Sequence, residues 1–574
     1  MQALSFLKTK YLLLAFIGFC FTTKLQAQQT DPVEFVQTLQ QAQKASAEKK
    51  WTEAVPLWAK LTESNPVNGE YWYNLGNAYY NTGEYIKSIE AYQKQLELKW
   101  DNLYNIAYNI ACNYALAGQK KSALDWLQKA FDLGFTSYTH AQKDADLKSL
   151  HGNPRFNKIL GLDDVSKMSR TQGWQYDMEI LKREVMRKAY IRRSQSFDEF
   201  NKRYNAIYNS VEKKTDVQMI MELMKLMVLV GDGHSSLFPP SRKEFQMALP
   251  LQFYSFKEGT YVVAADPKYK ELIGSKVIAF EKTPVETVSN KLKELISRDN
   301  DMGIMQNLPS LMRHTVALHG LGLTADPANT TLKLEDAKGK IFTARVEADT
   351  TVVRVDHKSI PEGWATLQQN AGTPLPLYLK NIKALYWFEE LPQLKTVYLQ
   401  FNSVRNDKKE SLAQFTDRLF SYIRDSSVEK LIVDLRWNNG GNTMLLPYFI
   451  NAIIKNDKIN RKGNLYVITG RRTFSAAQNL ATYLEKQTAA IFAGEPTGSS
   501  PNFVGEEDFI TLPYSKLAMN VSDLYWQSSW PGDERTWIAP MLYVPPTFKA
   551  YSVNKDEALD AVTSVIKASA KKGF

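Results

Sequence analysis

A pattern of small and aromatic residues recurs every 35 residues near the start of the chain, and this period confines the region to stacked pairs of helices. Trp72-Tyr73-Asn74-Leu75-Gly76-Asn77-Ala78-Tyr79 is followed by Gly83, Tyr85, Ser88, Ala91 and Tyr92. The pattern returns as Asn109-Ile110-Ala111-Cys112-Asn113-Tyr114, then Gly118, Ala123, Leu124 and Ala130. Gly83 to Gly118 and Ser88 to Ala123 are each 35 residues apart. A weaker copy sets Ala54, Val55 and Trp58 about 34 residues ahead of Ser88, Ile89 and Tyr92. A unit this short cannot bury its own apolar face, so neighbouring units must stack to make a core.

These positions resemble the tetratricopeptide repeat. The array is expected over residues 31–165, closed by a helical cap within 144–160. Such arrays bind a protein or peptide partner or act as spacers, and both readings stand at this point.

At 574 residues the chain exceeds one core and predicts three or four domains. Residues 1–27 read as a secretory signal. Lys8 and Lys10 precede an apolar run from Tyr11 to Thr22, too short to span a bilayer comfortably, with cleavage expected after Ala27. The alternative is a membrane anchor, but no later run is apolar enough for stable membrane insertion. Cleavage removes Cys20 and leaves Cys112 alone, so an exported chain, periplasmic or extracellular, holds together by packing rather than by a disulfide. It also removes three lysines from a formal charge of +10. The remaining charges are interspersed, with no basic stripe carrying aromatics, which argues against nucleic-acid binding. No Cys/His group has metal-ligand spacing, so neither metal nor cofactor is expected.

The rest of the chain divides by periodicity. Residues 170–245 are helical and end at Gly231-Asp232-Gly233-His234-Ser235-Ser236, where two glycines force a turn that presents His234. The methionines at 219, 221, 224 and 227 have core spacing. Residues 250–347 are mostly β, with strands at 260–264, 276–280 and 330–334, and resemble a diverged PDZ-like domain that lacks a Gly-Leu-Gly-Phe loop. Residues 348–394 form a Pro- and Lys-containing connector with short strands. From 395 to 574 strands alternate with helices, which predicts a mainly parallel sheet.

Two loops in this last region carry chemistry. Leu431–Arg436 runs into Trp437-Asn438-Asn439-Gly440-Gly441, which exposes backbone N–H groups; without a following Gly-Lys-Ser it reads as an oxyanion hole rather than a phosphate loop. Leu465–Thr469 leads through Gly470-Arg471-Arg472-Thr473-Phe474 to Ser475 and a helix-forming stretch. A serine at a strand-to-helix turn is either a nucleophile or an N-cap.

Together with Gly494-Glu495-Pro496-Thr497-Gly498 and Asp556-Glu557-Ala558-Leu559, these segments resemble the S41 peptidases, the tail-specific or C-terminal processing proteases, across roughly residues 170–570. The resemblance implies a crotonase/ClpP-like α/β core, Ser475 as nucleophile, and an oxyanion hole from Gly440, Gly441 and Ala476. The lysine of the Ser–Lys branch is missing: Ser499 and Ser500 follow Thr497-Gly498. The Gly231-Asp232-Gly233-His234 turn is instead similar to the tricorn-core branch, which implies His234 as base and Glu534, 59 residues after Ser475, as its orienting acid. Gln478, Trp437 and Ile538-Ala539-Pro540-Met541 depart from the family pattern.

The expected fold is therefore multidomain, α plus α/β: a helical repeat array, a helical segment, a PDZ-like domain and a peptidase core. The expected activity is that of a secreted serine peptidase acting on a peptide or protein substrate. The alternatives are an inactive peptide- or lipid-binding protein on the same scaffold, or an esterase or amidase.

Overall fold

The computed structural model describes residues 31–99, 102–135, 137–188, 196–239, 245–351, 358–506 and 509–572. The expected signal peptide, its cleavage site and Cys20 lie outside these residues. The chain forms two compact units, divided between Asp163 and Asp164.

In the first unit, six helices follow one another: α1 (Pro32–Ala47), α2 (Trp51–Ser64), α3 (Gly69–Asn81), α4 (Tyr85–Glu97), α5 (Leu103–Leu116) and α6 (Lys120–Leu133). The repeated small residues allow the close approach of paired helices. A Cβ on Gly76 would lie 2.8 Å from the Tyr92 ring, and Ser88 Oγ donates to the Gly76 carbonyl at 2.7 Å. The repeat glycines Gly83 and Gly118 occupy equivalent turns with φ of 79° and 75°. Trp58, Ala54, Ala123 and Ala130 are all buried. Cys112 is a buried free thiol 3.8 Å from Asp144 Oδ2. Cys112, Asp144 and Asp146 are close enough to share a metal ion, but Tyr108 and Tyr80 hydroxyls already donate to the two carboxylates at 2.6 and 2.7 Å.

The second unit opens with helices α7 (Arg170–Lys188) and α8 (Asp216–Val228), the latter started by a Thr215/Gln218 capping box. The Met219, Met221 and Met227 side chains fill its core. Strand β1 (Ser236–Phe238) follows the glycine turn. An antiparallel sheet then forms from β2 (Leu251–Phe256), β3 (Gly259–Ala265), β4 (Lys276–Phe280), β5 (Asn329–Glu335) and β6 (Ile341–Glu347), in spatial order β2-β3-β4-β5-β6; α9 (Asp301–Leu311) lies between β4 and β5 in the chain.

The final region is built on one six-stranded sheet. Its elements in chain order are β7 (Tyr386–Leu391), β8 (Thr396–Phe401), α10 (Leu412–Asp425), β9 (Lys430–Asp434), α11 (Leu446–Ile454), β10 (Leu465–Thr469), α12 (Ala476–Gln487) and β11 (Ile491–Gly494). There follow β12 (Phe509–Thr511), β13 (Ala518–Asn520), β14 (Leu542–Tyr543) and α13 (Glu557–Lys572). The sheet order is β14-β11-β10-β9-β8-β7, parallel except for the antiparallel edge strand β7. Strands β8 and β10 are buried along their whole length, because helices cover both faces. Both loops that carry the chemistry leave the C-terminal ends of adjacent strands, β9 and β10. Strand β7 falls inside the segment expected to be a connector. Separately, β1 pairs with β13 and β13 with β12, which ties the His234 turn to the C-terminal region.

Candidate active site

Ser475 occupies the N-cap of α12 with φ of 55° and ψ of −127°, a conformation that normally favours glycine. Its side chain does not cap the helix. The backbone thus pays steric strain for a purpose other than capping, and the residue is partly exposed. Neighbouring bonds hold it there. Thr473 Oγ1 donates to the Leu435 carbonyl at 2.9 Å, Phe474 N–H to the Asn438 carbonyl at 3.2 Å, and Gly498 N–H to the Thr473 carbonyl at 2.9 Å.

The glycine loop lies directly against this elbow. A Cβ on Gly440, whose φ is 105°, would stand 2.7 Å from Ser475 Cβ and 2.8 Å from the Ala476 nitrogen. The loop is anchored by Val404, which donates to the Gly440 carbonyl at 2.9 Å and accepts from Asn442 at 2.7 Å. One expected donor is already committed: Gly440 N–H bonds Asn438 Oδ1 at 2.9 Å. Gly440 therefore supplies room, while the Gly441 and Ala476 amides have no acceptor among the described residues. Ala476 N–H is one of the first-turn amides that a helix leaves unbonded, at its positive end.

His234 sits between two rings. Its imidazole stacks on Phe474, the residue before Ser475, at 4.4 Å between centroids, and on Phe503 at 5.5 Å. It is only 7% exposed, and neither ring nitrogen has a hydrogen-bond partner among the described residues. Burial lowers its pKa from 6.5 to about 4; the nearby Val504 backbone opposes this slightly without making a bond of normal geometry. The ring is thus neutral and able to accept a proton at pH 7. Asp232 shapes the turn behind it, accepting from His234 N–H at 2.9 Å, Ser235 N–H at 2.5 Å and Ser235 Oγ at 2.7 Å. Asn520 on β13 donates to the His234 carbonyl at 2.7 Å.

Glu534 is not brought to this ring. It is exposed and makes no bond to His234, whose nitrogens are bare. The reason lies in its neighbours: Asp533 and Arg535 pair at 2.8 Å, and Arg535 also holds Glu485 at 2.8 Å. Its two neighbours are engaged with each other and with Glu485, while Glu534 itself stays exposed.

Two further residues, Asp299 and Asn300, join pieces that are distant in sequence. Asp299 Oδ1 accepts Gly233 N–H at 2.6 Å, and its Oδ2 accepts the Ser499 hydroxyl. Asn300 Nδ2 donates to the carbonyls of Thr497 at 3.1 Å and Thr536 at 2.6 Å, while its Oδ1 caps α9. Together they tie the histidine turn, the 497–500 loop and the Glu534 segment. Burial raises the Asp299 pKa from 3.8 to about 6. Sequence reasoning missed both residues; an Asp-Asn pair just ahead of a helix was the only local signal. The Asp434 and Asp556 carboxylates both bind Arg436 beneath the glycine loop, which makes that motif a support rather than a reactive group.

A cleft of about 730 Å³ opens beside the elbow, lined among others by His234, Phe474, Trp437, Asn439 and Gly498. A partly exposed serine in a strained turn, unbonded amides beside it and a neutral imidazole stacked on the preceding Phe474 provide the parts for acyl transfer.

The two units also have counterparts among known proteins. The tetratricopeptide repeat model matches residues 69–99. No curated protein matches the chain in sequence. Mature CPAF complexed with lactacystin is similar in structure, with a TM-score of 0.50 and 12% identity over 70% of this chain and 98% of that one. The photosystem II D1 C-terminal processing protease aligns at a TM-score of 0.34 and 14% identity, over 68% of this chain and 97% of its own. An S41 protease from Bacteroides fragilis aligns at 0.29 and 12%, over 58% and 86%. The chain thus shares its fold with mature CPAF and carries a tetratricopeptide repeat.

Proposed function

We propose that the protein is an exported serine-type peptidase, cleaved after Ala27, in which Ser475 attacks a peptide carbonyl and His234 takes its proton. The single observation that carries this reading is the strained, non-capping conformation of Ser475 against Gly440. The Ala476 and Gly441 amides meet the charge that develops on the carbonyl oxygen. The imidazolium then returns the proton to the leaving amine. Water hydrolyses the acyl-enzyme with the same histidine as base.

Glu534 orients the imidazole through an intervening hydroxyl. A Glu534→Gln enzyme slowed tenfold or more, on the order of the loss expected for an orienting group, places it in the network; one within about threefold leaves a Ser–His dyad. In this reading the β2–β6 domain is PDZ-like, the core crotonase-like, and the repeats hold a partner protein.

A fluorophosphonate probe tests the proposal. Labelling of the wild type that is lost in Ser475→Ala and reduced in His234→Ala supports it. No labelling of a folded wild type, with no hydrolysis of peptides, sinks it and favours a binding protein on a peptidase scaffold.

A further inference from the structure

We infer that the cleft beside Ser475 selects peptides with acidic side chains, which deepens the peptidase reading and rests on it. Among the described residues that line the cleft there is no aspartate or glutamate, but there are four arginines, Arg298, Arg313, Arg471 and Arg472; the two histidines there, His234 and His314, are kept neutral by burial and add no charge.

The carboxylates nearest the site are turned away from the cleft and consumed. Asp232 accepts from the His234 and Ser235 backbone and the Ser235 hydroxyl. Asp299 accepts from Gly233 and Ser499. Glu495 is taken by Arg471 at 3.0 and 2.5 Å. That pair neutralises Arg471 and leaves no spare acid facing the opening. Arg298, by contrast, directly precedes Asp299 yet faces the cleft. It is steadied by the neutral carbonyls of Ile296 at 2.9 Å and Lys293 at 3.3 Å, so its charge is fixed in place but retained. Arg472 stands three positions before Ser475 and also lines the cleft.

The cleft is also lined by apolar side chains, among them Met221, Met224, Leu237, Phe238, Leu311 and Val316. Charges of one sign set against a low-dielectric wall focus their field into the opening. A glutamate or aspartate near the scissile bond is drawn in; a lysine or arginine there meets like charge, which discriminates as strongly as the attraction selects.

The test uses the full chain and a fluorogenic peptide set capped at both ends, with Glu, Gln or Lys at positions flanking an apolar residue. The expected order of kcat/KM is Glu over Gln over Lys. The Glu-to-Lys ratio should be about tenfold or more at low ionic strength and shrink towards unity at about 0.5 M NaCl. Arg298→Gln and Arg472→Gln should each lower the Glu-to-Gln ratio. In parallel, anisotropy of the labelled Glu and Lys peptides on Ser475→Ala protein reads the same preference without turnover. Turnover with no preference, or with Lys preferred, overturns the inference and leaves the peptidase reading intact. Binding preference without wild-type turnover does the reverse, and absence of both binding and turnover overturns the inference. An uncapped series separates a free C-terminal carboxylate from the acidic side chain: preference seen only with the free terminus also overturns it.

Discussion

Lowering the pH probes the environment of His234 most directly. The imidazole is wedged between Phe474 and Phe503, and burial moves its pKa from 6.5 to about 4. At pH 5.5 about 97% of such a ring is neutral, whereas an ordinary histidine would be about 9% neutral. The rate of fluorophosphonate labelling should therefore stay near its plateau down to pH 5 and halve near pH 4. The same shift has a stability sign. The folded pKa is depressed, so the contribution is present above pH 6.5 and lost as pH falls towards 4, a change of about 3 kcal/mol. Asp299 works in the opposite direction: its folded pKa is raised from 3.8 to about 6, so its contribution is present below 3.8 and lost as pH rises through 6, again about 3 kcal/mol. The two largely offset, which makes labelling rate, not melting temperature, the clean readout. Protonated Asp299 can still accept from Gly233 and donate to Ser499, so Asp299→Asn should preserve the rate profile while exposing the His234 loss in thermal unfolding at pH 5. A labelling half-point at 6.5 or above would refute the reasoning, because it would mean that the ring is solvated.

Other substitutions test the remaining parts. Gly440→Ala places a methyl 2.7 Å from Ser475 Cβ at a positive φ, and labelling should fall by about 10²-fold or more while circular dichroism still reports a folded chain. Asn300→Ala removes two donations to backbone carbonyls, one of them buried, and a helix cap, and chemical unfolding should show a loss of about 3 kcal/mol, with slower labelling. Ser475→Gly should abolish labelling yet raise stability by about 1 kcal/mol by relieving the φ of 55°, whereas Ser475→Ala removes the hydroxyl and keeps the strain; equal melting temperatures for the two would deny that strain. Trp58→Ala, at a site 2% exposed and bonded to Ser46, should cost the repeat unit about 4 kcal/mol, seen as selective proteolysis of residues 31–163.

The parts legible in the sequence were those written in a single local pattern. Strands buried on both faces appear as unbroken apolar runs, and Leu431–Val433 and Leu465–Ile468 show this. The repeat showed through Gly76, Ser88 and Tyr92 because stacking demands small residues at fixed offsets. Strand β7 was legible only as one of the short strands expected of the connector, because five of its six residues are only partly buried. The site divides in the same way. Ser475, Gly440 and Gly441 lie on loops whose geometry follows from their own residues. That Glu534 makes no bond to His234 shows only in the folded chain, and the role of Asp299 depends on a glycine and a serine far away in the sequence. Such facts exist only after the chain has closed.

That division explains why the polar groups around the elbow are so unequally satisfied. Every nearby carboxylate is occupied: Asp232 by its own turn, Asp299 by Gly233 and Ser499, Glu495 by Arg471, and Asp434 by Arg436. Against that background, the His234 nitrogens are left buried without hydrogen-bond partners among the described residues, and Ser475 is left strained without a cap. Either defect costs on the order of 1–3 kcal/mol. A merely structural histidine would recover its share through one hydrogen bond, and a merely structural serine through capping. Both defects meet across Phe474, whose ring stacks on one residue and whose backbone leads into the other. Their coincidence at one ring, inside a frame where other demands are met, is what a site held ready for a substrate requires.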